Sequence, residues 1–94
     1  MPLHWTSEAI QDRETIYDYI EADNPVAALA LDELFEESAA RLTDSPNLGR
    51  SGRVAGTHEL IAHPHYILIY DVVDGFVRVL RILHTARQWP PQPD

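Results

Sequence analysis

The sequence predicts an α+β domain in the order β-α-α-β-β-β, with a helical hairpin packed on a small antiparallel sheet. Two observations predict this fold. In the first half, apolar residues recur at helical spacing in two segments that Asp23-Asn24-Pro25 separates. In the second half, β-branched and aromatic residues form two runs, 66–73 and 76–83, which Asp74-Gly75 joins with a strong hairpin signal. Helices and strands segregated in this way are typical of α+β domains.

The first half predicts a short edge strand followed by two helices. Thr6 or Ser7 can cap the first helix, which should run for about four turns. Asn24 is a favourable N-cap for the second, and Pro25 suits its first position, so this helix is expected to end near Thr43. Because few residues separate the helices, we expect them to pack antiparallel.

The second half predicts a meander of three strands after a connection, 47–57, that contains glycine and arginine. His63-Pro64-His65 is expected to turn the first of these strands into the second. Strict alternation gives the last strand two faces: Phe76, Arg78, Leu80 and Ile82 on one, and Val77, Val79, Arg81 and Leu83 on the other. Both faces are mostly apolar, which predicts a central strand with helices over one side.

Composition limits the classes of function. The 94 residues predict a single domain over 1–89 and a flexible tail over 90–94. Cysteine is absent, which excludes disulfides and thiolate metal sites. No signal peptide is visible and no apolar run is long enough to cross a bilayer, so we expect a soluble cytoplasmic domain without membrane contact.

The charge is strongly negative and unevenly distributed. Fifteen acidic residues face seven basic ones, all of them arginine, for a net charge of -8. Binding to nucleic acid requires neutralisation of phosphates, so strong direct binding by this chain alone is not expected. The acidic residues cluster in the first forty positions and most arginines lie late, which leaves room for a local basic patch. The late arginines are Arg50, Arg53, Arg78, Arg81 and Arg87.

No pattern predicts a metal or cofactor. His63 and His65 have the spacing of two ligands on one strand, but the proline between them favours a turn, and no set of four ligands appears. The glycines of 49–52 match neither a dinucleotide nor a P-loop pattern, and no serine has the context of an activated nucleophile. We therefore expect neither metal nor cofactor.

A cluster near the C-terminus leaves two uses open. His84 lies between Arg81 and Arg87, and histidine and arginine could act on a phosphodiester as proton shuttle and charge stabiliser. Alternatively, the arginines pair with carboxylates of the helices and His84 ends the strand. Trp89 could anchor a partner or fold back on the core.

Residues 49–90 resemble the second half of ParE/RelE-type toxins, the toxin components of type II toxin–antitoxin modules, often described as plasmid stabilisation proteins. The matching positions there are Gly49, Arg50, Gly52, Arg53, Val54, Gly56, Thr57, Glu59, Leu60, Tyr66, Tyr70, His84, Arg87, Trp89 and Pro90. Looser matches in the first half are Trp5, Ala9, Ile16, Tyr19, Ile20, Asn24-Pro25, Ala28, Leu42 and Pro46. The fold of this family is the one that periodicity predicts.

The resemblance implies a toxin that a cognate antitoxin neutralises. ParE-like members inhibit DNA gyrase, whereas RelE-like members cut mRNA on the ribosome, and the end of this chain looks more like the ParE branch. We therefore expect a gyrase inhibitor that is not an enzyme. Its expected partner-binding residues are Arg50, Arg53, Tyr66, Tyr70, Arg81, Arg87 and Trp89. If the chain is instead a metal-independent mRNA endonuclease, His84 and Arg87 are its expected catalytic residues.

Three features depart from the family pattern. His58 precedes Glu59 where arginine is usual, Asp71 follows Tyr70 where arginine is frequent, and the net charge is -8 in a family that tends to be basic. These departures imply a further alternative, an inactive toxin homologue that retains only antitoxin binding.

Overall fold

A computed structural model describes residues 1–86, in which two helices cover one face of a five-stranded sheet. The elements are β1 (Leu3–Trp5), α1 (Ser7–Glu21), α2 (Pro25–Asp44), β2 (Arg50–Ser51), β3 (His58–His63), β4 (Tyr66–Val73) and β5 (Phe76–His84). The predicted α+β fold is confirmed. The predicted tail, 90–94, lies outside the described residues.

Side-chain caps begin both helices where the sequence predicts them. Thr6 Oγ1 accepts a hydrogen bond from the Ala9 N–H at 3.1 Å, and Asn24 Oδ1 accepts one from the Ala27 N–H at 3.1 Å. Each cap satisfies one of the N–H groups that the first turn of a helix leaves unpaired. Only residues 22–24 separate α1 from α2, so the two helices form an antiparallel hairpin.

The sheet is mixed, with the strand order β1-β5-β4-β3-β2. Strands β2 to β5 pair antiparallel as predicted, but β1 pairs parallel to β5, with Leu3 opposite Val77. The expectation of a purely antiparallel sheet is therefore wrong for β1. Both helices and three strands lie between β1 and β5 in the chain, and they provide the long connection that a parallel pair requires. The two-residue strand β2 lies in the segment that the sequence predicts as a connection.

A bulge in β5 redirects its side chains. Tyr70 of β4 pairs with Val79 and Ile69 pairs with Arg81, so Leu80 is the extra residue. One extra residue moves every later side chain to the opposite face relative to strict alternation. Ile82, which is 3% exposed, therefore joins Val79 in the core against the helices. The predicted division of this strand into two faces is wrong beyond Val79.

The core lies between the helices and the sheet. The helices contribute Ala9, Leu31, Phe35, Ala39 and Leu42, and the strands contribute Leu60, Leu68, Tyr70, Val77, Val79 and Ile82. No helix among residues 1–86 is long and apolar enough to span a membrane.

Arg13 ties three elements together at the outer side of this core. Its guanidinium carbon lies 4.6 Å from the centre of the Trp5 ring, and its nitrogens contact Asp32 at 2.9 Å and Glu36 at 2.7 Å. Burial opposes its charge, but the hydrogen bonds to both carboxylates outweigh burial and raise the pKa of Arg13. This side chain thus links α1 to α2 and β1.

Candidate partner-binding site

Two adjoining depressions form a groove beside the helical hairpin, and Tyr66 and His84 belong to both. One, of about 550 Å³, lies against α1 and includes Ile16 and Tyr19. The other, of about 450 Å³, lies against α2 and includes Leu34. We call the two depressions together the hairpin groove. Its walls are mostly apolar, which suits an apolar segment of a partner.

Tyr66, an expected partner-binding residue, lies at the centre of this groove. Its ring contacts Phe35 edge-on at a centroid distance of 5.7 Å and His84 edge-on at 5.3 Å. The side chain is half-buried, so one part supports the core while another part remains accessible. A rigid aromatic of this kind is a common interface anchor.

Three histidines meet at the strand ends beside Tyr66. His65 stacks on His84 with centroids 5.7 Å apart and planes inclined by 5°, and His63 lies 5.5 Å from His65. His63 Nδ1 accepts the His65 N–H at 3.0 Å, and His84 Nδ1 accepts the Ala86 N–H at 3.1 Å. The sequence interpretation treats His63 and His65 as turn residues and His84 separately. The pairing of β4 with β5 brings them together, because Tyr66 lies opposite His84.

Arg81 contacts a carboxylate of α1. Its Nε and Nη2 donate to the two oxygens of Asp12 at 2.7 and 3.1 Å, and the Ile82 N–H donates to the same carboxylate at 2.9 Å. The hydrogen bond to Asp12 is the main cause of the raised pKa of Arg81. The Asp12 carboxylate therefore holds β5 against α1 through the Arg81 side chain and the Ile82 backbone. Of the two uses left open for Arg81, pairing with a helix carboxylate is the one observed.

Arg50 and Arg53 lie away from the groove, on the face of the sheet opposite the helices, which we call the open face. Arg50 Nη2 contacts Glu59 Oε1 at 3.1 Å, and the Arg53 N–H donates to Glu59 Oε2 at 3.3 Å. Glu59 is 5% exposed, whereas both arginine side chains are exposed. The buried carboxylate holds the two residues side by side in a shallow depression of about 100 Å³.

A second ion pair crosses the open face nearer the β4–β5 turn. Arg78 donates to both oxygens of Asp71 at 2.8 and 2.6 Å, in a bidentate arrangement. This hydrogen bonding raises the pKa of Arg78. The sequence interpretation treats Asp71 only as a departure from the family pattern. In the structure Asp71 forms an ion pair with Arg78, which lies opposite it in the β4–β5 register.

Tyr70 does not belong to either surface. It is 0% exposed, its hydroxyl donates to the Pro46 carbonyl at 2.8 Å, and it accepts the Gly49 N–H at 2.9 Å. A Cβ at Gly49 would lie 2.8 Å from the same hydroxyl. Tyr70 is an expected partner contact, but its side chain is buried in this structure, where it holds the connection after α2 against the sheet.

The remaining site predictions concern residues that the structure does not describe or groups that it does not bring together. Arg87 and Trp89 lie outside the described residues. Within residues 1–86, no three histidine or carboxylate side chains are arranged to hold a metal ion. His84 lies in the hairpin groove and Arg50 and Arg53 lie in the depression of the open face, so these groups do not form one cluster.

Comparisons with known proteins identify the family of this chain. Residues 3–89 match the family model for the ParE toxin of type II toxin-antitoxin system, parDE. The chain is 37% identical to Toxin RelE2 of Caulobacter vibrioides over 83 residues, which cover 88% of this chain and 93% of the relative. It is 34% identical to Putative toxin Y4kP of Sinorhizobium fredii over 89 residues, which cover 94% and 92%.

Solved structures give the same result. A chain of the chromosomal ParDE system from P. aeruginosa has a TM-score of 0.83 at 27% identity, covering 89% of this chain and 95% of that one. A chain of the RelBE2 complex from Mycobacterium tuberculosis has a TM-score of 0.63 at 24% identity, covering 88% and 95%. The protein therefore belongs to the ParE toxin family of type II toxin–antitoxin systems.

Proposed function

We propose that this toxin inhibits DNA gyrase by protein–protein contact in the cytoplasm and is neutralised by a cognate antitoxin. The observation that carries the proposal is the higher structural similarity to the ParDE chain than to the RelBE2 chain. The match to the ParE family model over residues 3–89 supports the same branch.

The charges of the described residues also favour a protein target over RNA. Arg50 and Arg78 on the open face contact Glu59 and Asp71, and Arg81 contacts Asp12, so carboxylates already balance part of the positive charge. Cutting mRNA requires cations that meet phosphates, and the net charge of -8 opposes an approach to a polyanion.

The antitoxin is proposed to contact both surfaces. Apolar side chains of one antitoxin segment would fill the hairpin groove around Tyr66, where burial of apolar area provides the affinity. Acidic groups of another segment would meet Arg50 and Arg53, which are exposed on the open face. Arg87 and Trp89, outside the described residues, remain proposed contacts of the same partner.

The proposal is tested with purified chain in two parallel assays. We expect inhibition of gyrase supercoiling that the cognate antitoxin prevents, and no cleavage of mRNA on purified ribosomes. His84→Ala should leave gyrase inhibition nearly unchanged. Unaltered supercoiling at high micromolar toxin would contradict the gyrase proposal.

The ribonuclease alternative draws on the relative that is named RelE2. Under that alternative His84 is the proton donor and Arg87 stabilises charge on the phosphate. Ribosome-dependent cleavage that His84→Ala and Arg87→Ala both abolish would establish it. An inactive homologue that only binds antitoxin would show neither activity while still forming the complex.

A further inference from the structure

We propose that Trp89 packs against Leu83 on the open face of the sheet, so that residues 87–89 cover the end of β5. The contact lies within the chain, so the inference does not depend on the proposed function. It chooses between the two uses that the sequence leaves open for Trp89. Residues 87–89 lie outside the described part of the chain, but the surface that they would cover is described.

Leu83 is buried on the face of the sheet that the helices do not cover. It is 5% exposed, yet it does not belong to the core cluster between the helices and the sheet. The bulge at Leu80 places Ile82 in that core, and the next side chain along a strand points to the opposite face. Leu83 therefore lies on the open face, where side chains of an uncovered sheet are ordinarily solvated.

The described strands lie beside Leu83 and do not cover it. Among residues 1–86, β1 is the strand on the outer side of β5, and its register ends with Trp5 opposite Val79. On the inner side, Ile67 pairs with Leu83, and Ile67 is itself only half-buried. The burial of Leu83 thus points to a cover from the residues that follow Ala86.

The chain after β5 can reach this position. Thr85 and Ala86 form a turn, in which the Ala86 N–H donates to His84 Nδ1 at 3.1 Å. Three residues lead from Leu83 to Ala86 and three more lead to Trp89, and each of these steps spans about 10 Å in extended chain. A chain that reverses at the turn therefore returns Trp89 to the level of Leu83.

Trp89 is the side chain of this segment that gains most from burial. An aromatic side chain of its class buries about 150 to 250 Å². The neighbouring Arg87 and Gln88 can cover apolar surface with their stems while their polar ends stay in water. Pro90 restricts the backbone of the residue before it, which lowers the entropic cost of holding Trp89 in one place.

The hairpin groove is the other surface within reach, because Ala86 borders it. In the groove, Ile16, Leu34 and Tyr66 are only half-buried, whereas Leu83 on the open face is buried. A segment that occupied the groove would cover the first three side chains and leave Leu83 without a cover. The pattern of burial therefore favours the open face.

The contact is tested by a double-mutant cycle of Trp89→Ala and Leu83→Ala in the full chain, measured by urea unfolding. Trp89→Ala alone should raise the unfolding equilibrium constant at least about tenfold, because truncation of a packed tryptophan removes much apolar burial. Both substitutions together should raise it about fivefold less than the product of the two single effects, as for residues in contact. Independent effects of the two substitutions would overturn the proposal.

Two controls separate the open face from the groove. Gln88→Ala, in the same segment, should leave the stability nearly unchanged. Trp89→Ala and Leu34→Ala should act independently, because Leu34 lines the hairpin groove. Coupling of Trp89 to Leu34 in place of Leu83 would place the segment in the groove and overturn the proposal.

A second measurement keeps the proposal testable if a variant does not fold. In the spectra of the unmodified protein, nuclear Overhauser contacts are expected between the Trp89 indole and the Leu83 methyl groups. Contacts of this indole with the methyl groups of Ile16 or Leu34, or with none of the three side chains, would overturn the proposal.

Discussion

The hairpin groove and the open face of the sheet hold their polar groups in opposite ways. Beside the groove, the partly buried Asp12 and Arg81 bind α1 to β5, while the accessible surface of the groove is mostly apolar and includes three imidazoles. On the open face, the carboxylates of Glu59 and Asp71 are sheltered and the arginines that they hold are exposed. A partner thus meets apolar area on one side and cations on the other.

This difference predicts that binding at the two surfaces depends differently on salt concentration. Apolar burial in the groove depends weakly on salt, whereas contacts with exposed arginines weaken as salt screens them.

The largest effect is expected from Leu34→Glu, which places a charge in the apolar wall of the groove. Antitoxin affinity should fall about a hundredfold, the range of an interface hot spot, with little dependence on salt. Calorimetric titration at two salt concentrations measures this change. Leu29→Glu is the matched control, since Leu29 is 53% exposed on the same helix and does not line the groove. Equal losses from both substitutions would contradict the groove as binding site.

Asp12→Ala removes the carboxylate that links α1 to β5. It leaves the Arg81 guanidinium and the Ile82 N–H without this acceptor, so the free energy of unfolding should fall by about 2 kcal/mol. Urea unfolding measures the loss. Glu14→Ala, an exposed carboxylate on the same helix, should change stability by less than about 0.5 kcal/mol. Unchanged stability of Asp12→Ala would show that the contact between Asp12 and Arg81 does not hold α1 against β5.

Arg53→Glu reverses an exposed charge on the open face. Antitoxin affinity should fall about tenfold at low salt and by less at high salt, because the contact is screened. Binding titrations across salt concentrations measure the slope. Arg41→Glu, at the exposed end of α2, is the control for net charge. A loss that salt does not reduce would argue against an electrostatic contact at Arg53.

Tyr70→Phe removes one hydroxyl from the connection after α2. The Pro46 carbonyl and the Gly49 N–H lose their partner, which should lower stability by about 1 kcal/mol at neutral pH. Burial is the main cause of the raised pKa of Tyr70, although the hydrogen bond from Gly49 opposes it.

The raised pKa also gives a pH dependence. Because the neutral hydroxyl is favoured in the folded state, its contribution is complete below the unfolded pKa of about 10 and is lost as pH rises through the folded value. The stability difference between the unmodified protein and Tyr70→Phe should therefore shrink at alkaline pH. A difference that grows there would contradict the placement of Tyr70.

The fold could be predicted where the signals are local. Thr6 and Asn24 cap the helices as expected, and Asp74-Gly75 has the positive φ values of 52° and 80° that a tight hairpin turn requires. The parallel pairing of β1 could not be predicted, because its partner lies more than seventy positions away and no local pattern marks it. The bulge at Leu80 could not be predicted either, because no characteristic residue type marks it.

The site was predicted less completely for the same reason. Family motifs identified Arg50, Arg53 and Tyr66 as candidates, and the structure places them on two different surfaces. The histidine cluster depends on the β4–β5 register, which brings His84 beside a turn that lies about twenty positions earlier. The burial of Tyr70 could not be predicted, because a motif position does not distinguish a buried hydroxyl from an exposed one.

Whether this chain is an active toxin is tested most directly by the viable count after induction of the chain alone and together with its cognate antitoxin. We expect viability to collapse with the toxin alone, to recover with the antitoxin, and to stay low when the co-expressed toxin carries Leu34→Glu, which should escape neutralisation. Unaffected growth at good expression of the toxin alone would show that this chain is not an active toxin in that host.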